Sequence, residues 1–261
     1  MIVMKHALTI VFVVAFLSFP ITGSAGPLHD MAEEGNLEAV KNLLSQGVNA
    51  DTKDDEGWTA LHHAAFVGYV DIVKLLLEKK ATVDVKDKTG NTALYRAAEG
   101  GNSQIVKTLI ASGANVQSND ENGITPLTMA AVQGYVTIAG LFIESGANVN
   151  ATDKFGNTPL SWVAHQGELL MAKFLISKGA NVTSRDTHGN TPLHVAVAAR
   201  KKGIVELLLT HGAEVNATIP DGHTALDIAN AQNDTALADF LTQHGARRGT
   251  SATSEHNAKT H

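Results

Sequence analysis

The chain has 261 residues, 44% of them hydrophobic and 18% charged, with a formal net charge of −6 and no cysteine. Such a balance supports a folded core but argues against nucleic acid as the main partner, because nucleic acid selects basic faces. With no thiol, disulfides, cysteine-based zinc sites and thiol catalysis are excluded.

The first element reads as an export signal. Lys5 gives a positive start, residues 7–19 (ALTIVFVVAFLSF) form an uncharged apolar run, and Pro20 ends it. Gly23 and Ala25 place small residues three before and one before a cut after Ala25. This layout predicts a cleaved secretory signal over residues 1–25, and the run is too short to span a bilayer comfortably. The expected compartment is the periplasm of a bacterial host or the medium outside it, with no membrane attachment after cleavage.

From residue 26 onward the chain is periodic. The glycines before each Thr-x-Leu are Gly57, Gly90, Gly123, Gly156, Gly189 and Gly222, each 33 residues from the last. A second ladder with that period runs Gly47, Lys80, Gly113, Gly146, Gly179, Gly212, Gly245, and a third Gly35, Gly68, Gly101, Gly134, Gly167, Arg200, Asn233. Thr125-Pro126, Thr158-Pro159 and Thr191-Pro192 read as helix starts, with a hydroxyl cap and a proline where a missing N–H costs nothing. IVKLLL (72–77), IVKTLI (105–110) and IVELLL (204–209) read as second helices with one buried stripe. The glycine after the second helix, as at Gly113, Gly146 and Gly212, supplies left-handed backbone, and Asp-x-x-Gly supplies the turn to the next unit.

These motifs, GNTPLHVA and its copies, resemble the ankyrin repeat family over roughly residues 26–248. The resemblance implies an all-α solenoid of helix–turn–helix units. The expected units are an N-terminal cap at 26–53, five full repeats at 54–86, 87–119, 120–152, 153–185 and 186–218, a C-terminal cap at 219–248, and a disordered tail at 249–261. Thr59-Ala60-Leu61-His62 maps one period back onto Gly26-Pro27-Leu28-His29, so the fold begins where the signal ends. Lys80 on a glycine rung predicts left-handed strain. Ile219-Pro220 replaces the turn aspartate, and Gly203 falls inside a helix. The last two units are therefore expected to be the least stable.

No enzyme motif is present: no G-x-S-x-G, H-E-x-x-H or phosphate loop. DTKDDEGW (51–58) fails as a calcium loop, since Thr52 and His63 would fall on its first and last ligand positions. His29, His62 and His194 are read as turn-holding, and His211 and His244 as helix ends that suit a cation. His165, His188 and His223 are the remaining metal candidates; neither a metal nor a cofactor is expected. Recurrent N-x-T sequons at Asn150, Asn181 and Asn216 follow from the repeat itself.

The resemblance places partner contacts on turn tips and on the inner side of each first helix. Carried over unit by unit, the candidates are Asp55, Glu56, Trp58 and Phe66, then Lys88, Asn91 and Glu99, then Ile124 and Gln133, then Phe155, Asn157 and His165, and His188. Trp58 and Phe66 are candidate anchors, extended by Ile124 and Phe155 and bordered by Asp51, Asp54, Asp55 and Glu56. The competing reading is that Trp58 and Phe66 shield the junction with the N-terminal unit. Trp162 is expected in the core. The function expected is an exported, non-catalytic, monomeric scaffold for a protein partner. Alternatives are a secreted binder acting on a host cell and an enzyme with residues grafted on the inner face.

Overall fold

The computed structural model describes residues 26–250; the expected signal peptide and residues 251–261 of the expected tail lie outside the described residues. Fourteen helices follow one another in pairs among the described residues. The first helices are α1 (Pro27–Glu33), α3 (Ala60–Val67), α5 (Ala93–Glu99), α7 (Pro126–Val132), α9 (Pro159–Gln166), α11 (Pro192–Ala198) and α13 (Ala225–Ala231). The second helices are α2 (Leu37–Ser45), α4 (Val70–Glu78), α6 (Ser103–Ala111), α8 (Val136–Glu144), α10 (Leu169–Ser177), α12 (Lys202–Thr210) and α14 (Thr235–Gln243). The architecture is the all-α repeat solenoid expected.

None of these helices is long enough to be stable alone in water; packing holds them. First helices stack on one another through alanines that are fully buried, such as Ala64, Ala65, Ala97, Ala98, Ala130 and Ala131. Their small side chains let neighbouring backbones approach, and first helices pack together more extensively than second helices do. The first helices thus form the inner face. Second helices contribute the larger apolar groups, Ile72, Val73 and Leu76 in α4 and their successors Ile105, Val106 and Leu109 in α6. One core runs from Leu28 to Ala246.

All three ladders are left-handed at every rung. The glycines have φ between 74° and 108°, and Lys80, Arg200 and Asn233 adopt φ of 64°, 58° and 56°. In the Thr-x-Leu ladder the glycine is required twice over. A Cβ on Gly123 would lie 3.0 Å from Asp153 Cα, and one on Gly57 would lie 2.8 Å from Lys88 N. This closeness lets neighbouring turn tips bond: Lys88 N–H donates to Glu56 O (3.1 Å), Glu121 to Thr89 O (2.9 Å), Lys154 to Asn122 O (2.8 Å) and Thr187 to Phe155 O (2.8 Å). One period further on stands Pro220, which has no N–H, so the tip ladder ends at the junction with the last unit.

Helix starts follow two chemistries. In α7 and α9 a threonine hydroxyl accepts the N–H of the third helical residue, Thr125 from Thr128 (3.1 Å) and Thr158 from Ser161 (3.2 Å). In α3 and α11 the threonine N–H instead donates to a histidine Nδ1, Thr59 to His62 (3.1 Å) and Thr191 to His194 (3.2 Å). The Nε2 of each ring then reaches the next turn, at Asn91 O (3.1 Å) and Ala217 O (3.0 Å). His29 similarly reaches Thr52 O at 2.7 Å. All three rings hold turns, as read from the sequence. His211 and His244 place Nδ1 2.8 Å from Leu207 O and Phe240 O, closing their helix ends.

A side-chain ladder also joins the units on their outer edge. Asn150 accepts from Asn181 N–H (2.8 Å) and donates to Gly179 O (3.1 Å), and Asn216 does the same with Arg247 N–H (2.7 Å) and Gly245 O (3.1 Å). The sequon asparagines at 150 and 216 are therefore inter-repeat fasteners. At the C-terminal end Gly249 N–H donates to Asp227 Oδ2 (2.7 Å), which places Gly249 in the cap rather than in the tail.

Candidate binding surface

The inner face is organised by the turn aspartates. Each spends Oδ1 on two backbone N–H groups of its own turn: Asp54 on Glu56 and Trp58, Asp87 on Thr89 and Asn91, Asp120 on Asn122 and Ile124, Asp153 on Phe155 and Asn157, Asp186 on His188 and Asn190. The second oxygen, Oδ2, can then take a donor from a side chain on the following helix. In the first two repeats it does: His63 Nε2 lies 2.7 Å from Asp54, and Arg96 donates to Asp87 at 2.7 Å. In the fourth, Trp162 Nε1 donates to Asp153 at 3.1 Å.

Around Trp58 these groups converge. The Arg96 guanidinium sits 4.3 Å from the indole centroid, while Phe66 meets the indole edge-to-face at 5.8 Å and His63 tilts against it at 5.0 Å. Arg96 also donates to Glu99 at 2.6 Å. Burial opposes the Arg96 charge, but Glu99 and Asp87 outweigh it and hold the guanidinium protonated. Burial likewise pushes the Asp87 carboxyl up, and the hydrogen bonds from Arg96, Asn91 and Thr89 bring it below its ordinary value. The cluster is thus a charged, ordered platform spanning the first two repeats, with His63 3.8 Å from Glu33 of the N-terminal unit.

The candidate residues fall into three groups. Asp55, Glu56, Lys88, Phe155, His165 and His188 are exposed. Phe66 is 39% and Phe155 51% exposed, unusual for such large apolar rings. Trp58, Glu99, Ile124, Gln133 and Asn157 are half-buried. Asn157 is committed to Asp153, with its amide donating to Oδ2 at 3.1 Å. Asn91 departs from expectation: it is only 6% exposed, and its N–H and amide are spent on Asp87 and Thr89. It builds the turn and offers no surface to a partner. The acidic border is also smaller than the sequence suggests. Asp51 accepts from Thr82 of the next repeat and Asp54 holds its own turn, so Asp55 and Glu56 are the carboxylates left at that tip.

Trp162 is a second departure. It is half-buried on the inner face, with its indole N–H on Asp153, and does not enter the core. Trp58 covers Arg96 of the second repeat, so its indole bridges the first and second repeats rather than sealing the N-terminal junction alone. Reading by family-variable positions missed the row His63, Arg96, Met129 and Trp162. The signal was present: each residue stands nine after its turn aspartate. Among the described residues no group of three His, Asp or Glu side chains could hold a metal ion, and His165, His188 and His223 do not come together as one.

A family model described as ankyrin repeats in three copies matches residues 28–120, 83–153, 100–186, 127–219 and 184–252. The matches span most of the chain, and the chain belongs to the ankyrin-repeat family. Such arrays are in general non-catalytic scaffolds that bind proteins. No curated protein matches the sequence. Among solved structures the chain is similar to the crystal structure of the human ASB11 ankyrin repeat domain, at 27% identity and a TM-score of 0.75, over 84% of this chain and 98% of that one.

Proposed function

We propose that this protein is an exported, monomeric scaffold that binds a protein partner across its first four repeats, by an apolar anchor point flanked with acidic side chains. The observation that carries the reading is the Trp58–Phe66 pair. A half-buried indole stiffened by Arg96 and an exposed phenyl ring form a rigid aromatic step of the kind that dominates protein interfaces. Ile124 and exposed Phe155 continue the apolar track toward the fourth repeat, and Asp55 and Glu56 give the first tip its charge.

The export half of the proposal rests on the sequence of residues 1–25 and places the protein in the periplasm or medium. Affinity capture from that compartment tests the binding half. Replacing both Trp58 and Phe66 by alanine should lower capture of a stoichiometric partner by at least about tenfold, since truncating an aromatic anchor typically costs 2 kcal/mol or more, on the order of a hot-spot loss. Leu170→Ser, on an outer helix where the side chain is 71% exposed, should leave capture unchanged. Equal capture by the wild type and the double variant would remove the proposal.

A further inference from the structure

The histidines that start first helices allow the protein to be compared with itself. In α3 and α11 both ring nitrogens are used: Nδ1 accepts the N–H of the threonine three residues earlier, and Nε2 reaches a carbonyl of the next turn. His29 holds the same place in α1, one period before His62. Its Nε2 lies 2.7 Å from Thr52 O. A carbonyl only accepts, so the proton sits on Nε2 and Nδ1 is left as a bare acceptor. The ring is 1% exposed, and Nδ1, closed off from solvent, has no hydrogen-bond partner among the described residues. An enclosed acceptor without a donor is costly. Gly26 stands where Thr59 and Thr191 stand and brings no hydroxyl. Its ψ of 161° matches their 168° and 165°, so its nitrogen lies in nearly the same position relative to the helix that follows. Its φ of −68°, against −98° and −91°, turns the single N–H about the N–Cα bond and off the line to Nδ1.

We propose that cleavage between Ala25 and Gly26 supplies the missing donor: the α-amino group freed on Gly26 binds His29 Nδ1 and completes the N-terminal unit. The inference rests on the export reading above. Hydrolysis adds water across the bond. The hydroxyl goes to the Ala25 carbonyl and a hydrogen to the Gly26 nitrogen, which takes up a further proton from solution as an ammonium. Its three hydrogens turn about the N–Cα bond, and one meets Nδ1 with ψ unchanged. Charge suits the place as well. A cation at a helix N-terminus is ordinarily disfavoured, but α1 carries Asp30 and Glu33 and no lysine or arginine, and Glu34 follows it. Other start points fail: a cut after Gly26 removes the nitrogen, and a start at Ala25 leaves a peptide N–H in its place. The first unit of the array is thus finished only when the signal has left.

The test compares two chains released from a removable fusion, residues 26–261 and residues 25–261. In the chain that starts at Gly26, the nitrogen NMR resonance of His29 Nδ1 should move, and the amides of α1 should exchange about fivefold more slowly, the scale of one hydrogen bond. Gly26→Thr restores the hydroxyl that Thr59 brings to His62, and its Cβ would stand 3.5 Å from Nδ1, in ordinary contact. That variant should remove most of the difference between the two start points. An unmoved Nδ1 resonance, equal exchange in the two chains, or a difference that survives Gly26→Thr would each overturn the inference. N-terminal sequencing of the exported protein separates this inference from the reading beneath it. Export with a start other than Gly26 overturns the inference alone. A chain kept in the cell with residues 1–25 attached sinks the export reading, and the two purified chains still decide the contact at His29.

Discussion

At the scale of single residues, the same left-handed backbone serves different ends. Gly123 needs φ of 86° and also leaves room for the next turn, whereas Gly113, at φ of 89°, has nothing within 4 Å of where a Cβ would stand. Gly113→Ala should therefore cost only backbone strain, about 1–2 kcal/mol. Gly123→Ala should cost that plus the displacement of the Asp153 backbone, about 1–3 kcal/mol more. Urea unfolding of the two variants checks the order, and equal losses would contradict it. Lys80 shows how far sequence can be trusted at this scale. Its place on a glycine ladder foretold its left-handed φ, because the ladder is a backbone requirement. Asn91 shows the limit. Its position on a variable turn tip predicts surface, and only the folded turn shows that its N–H and amide are spent on Asp87 and Thr89.

At the scale of elements, the caps of α3 and α11 carry an acid sensitivity that α7 and α9 lack. Thr59 N–H donates to His62 Nδ1, which requires a neutral ring, and burial lowers the His62 pKa from 6.5 to about 4, against the raising effect of Asn91 O. His194 shifts in the same direction, again through burial. A lowered histidine is neutral in both states above pH 6.5, so stability there is complete. As pH falls from 6.5 toward 4 the unfolded ring takes up a proton that the native ring refuses, and stability declines, by roughly 3 kcal/mol for His62. His62→Thr copies the third repeat, where Thr128 fills this position beside Thr125. Unfolding measured at pH 7 and pH 4.5 should show a smaller acid loss in that variant, and an unchanged loss would refute the assignment. The helices themselves were legible in the sequence because caps, periods and stop signals repeat together. The i+9 row is visible as a spacing, but that this spacing brings a donor to the aspartate depends on how a helix leaves its turn, a geometry no local pattern states.

At the scale of the whole molecule, the units are alike in design but unequal in attachment. The fifth repeat and the last unit combine a non-glycine left-handed residue at Arg200, a glycine inside α12 at Gly203, and Ile219 where other turns have an aspartate to hold them. Stability in a repeat array is a sum of units and their interfaces, so these defects act locally. Hydrogen exchange should find amides of α12 to α14 exchanging faster than those of α5 to α8. Uniform protection along the array would show that the interfaces compensate. Architecture was thus the most legible property of this chain, since period and phase fix it. The inner surface was legible only in outline, because its character depends on which side chains have already spent their hydrogen bonds on the fold.

Pro220 gives this inequality a direction. The bonded tips tie each repeat to its predecessor from Lys88 through Thr187, like stitches along one edge, and the thread stops there. The final pair of helices is joined through its apolar contacts and a few side chains, with no backbone stitch at the tip. Under tension applied along the array, the seam between the fifth repeat and the last unit should part before those between the stitched repeats. A partner that gripped only the first four repeats would leave that end free to yield without loosening its hold.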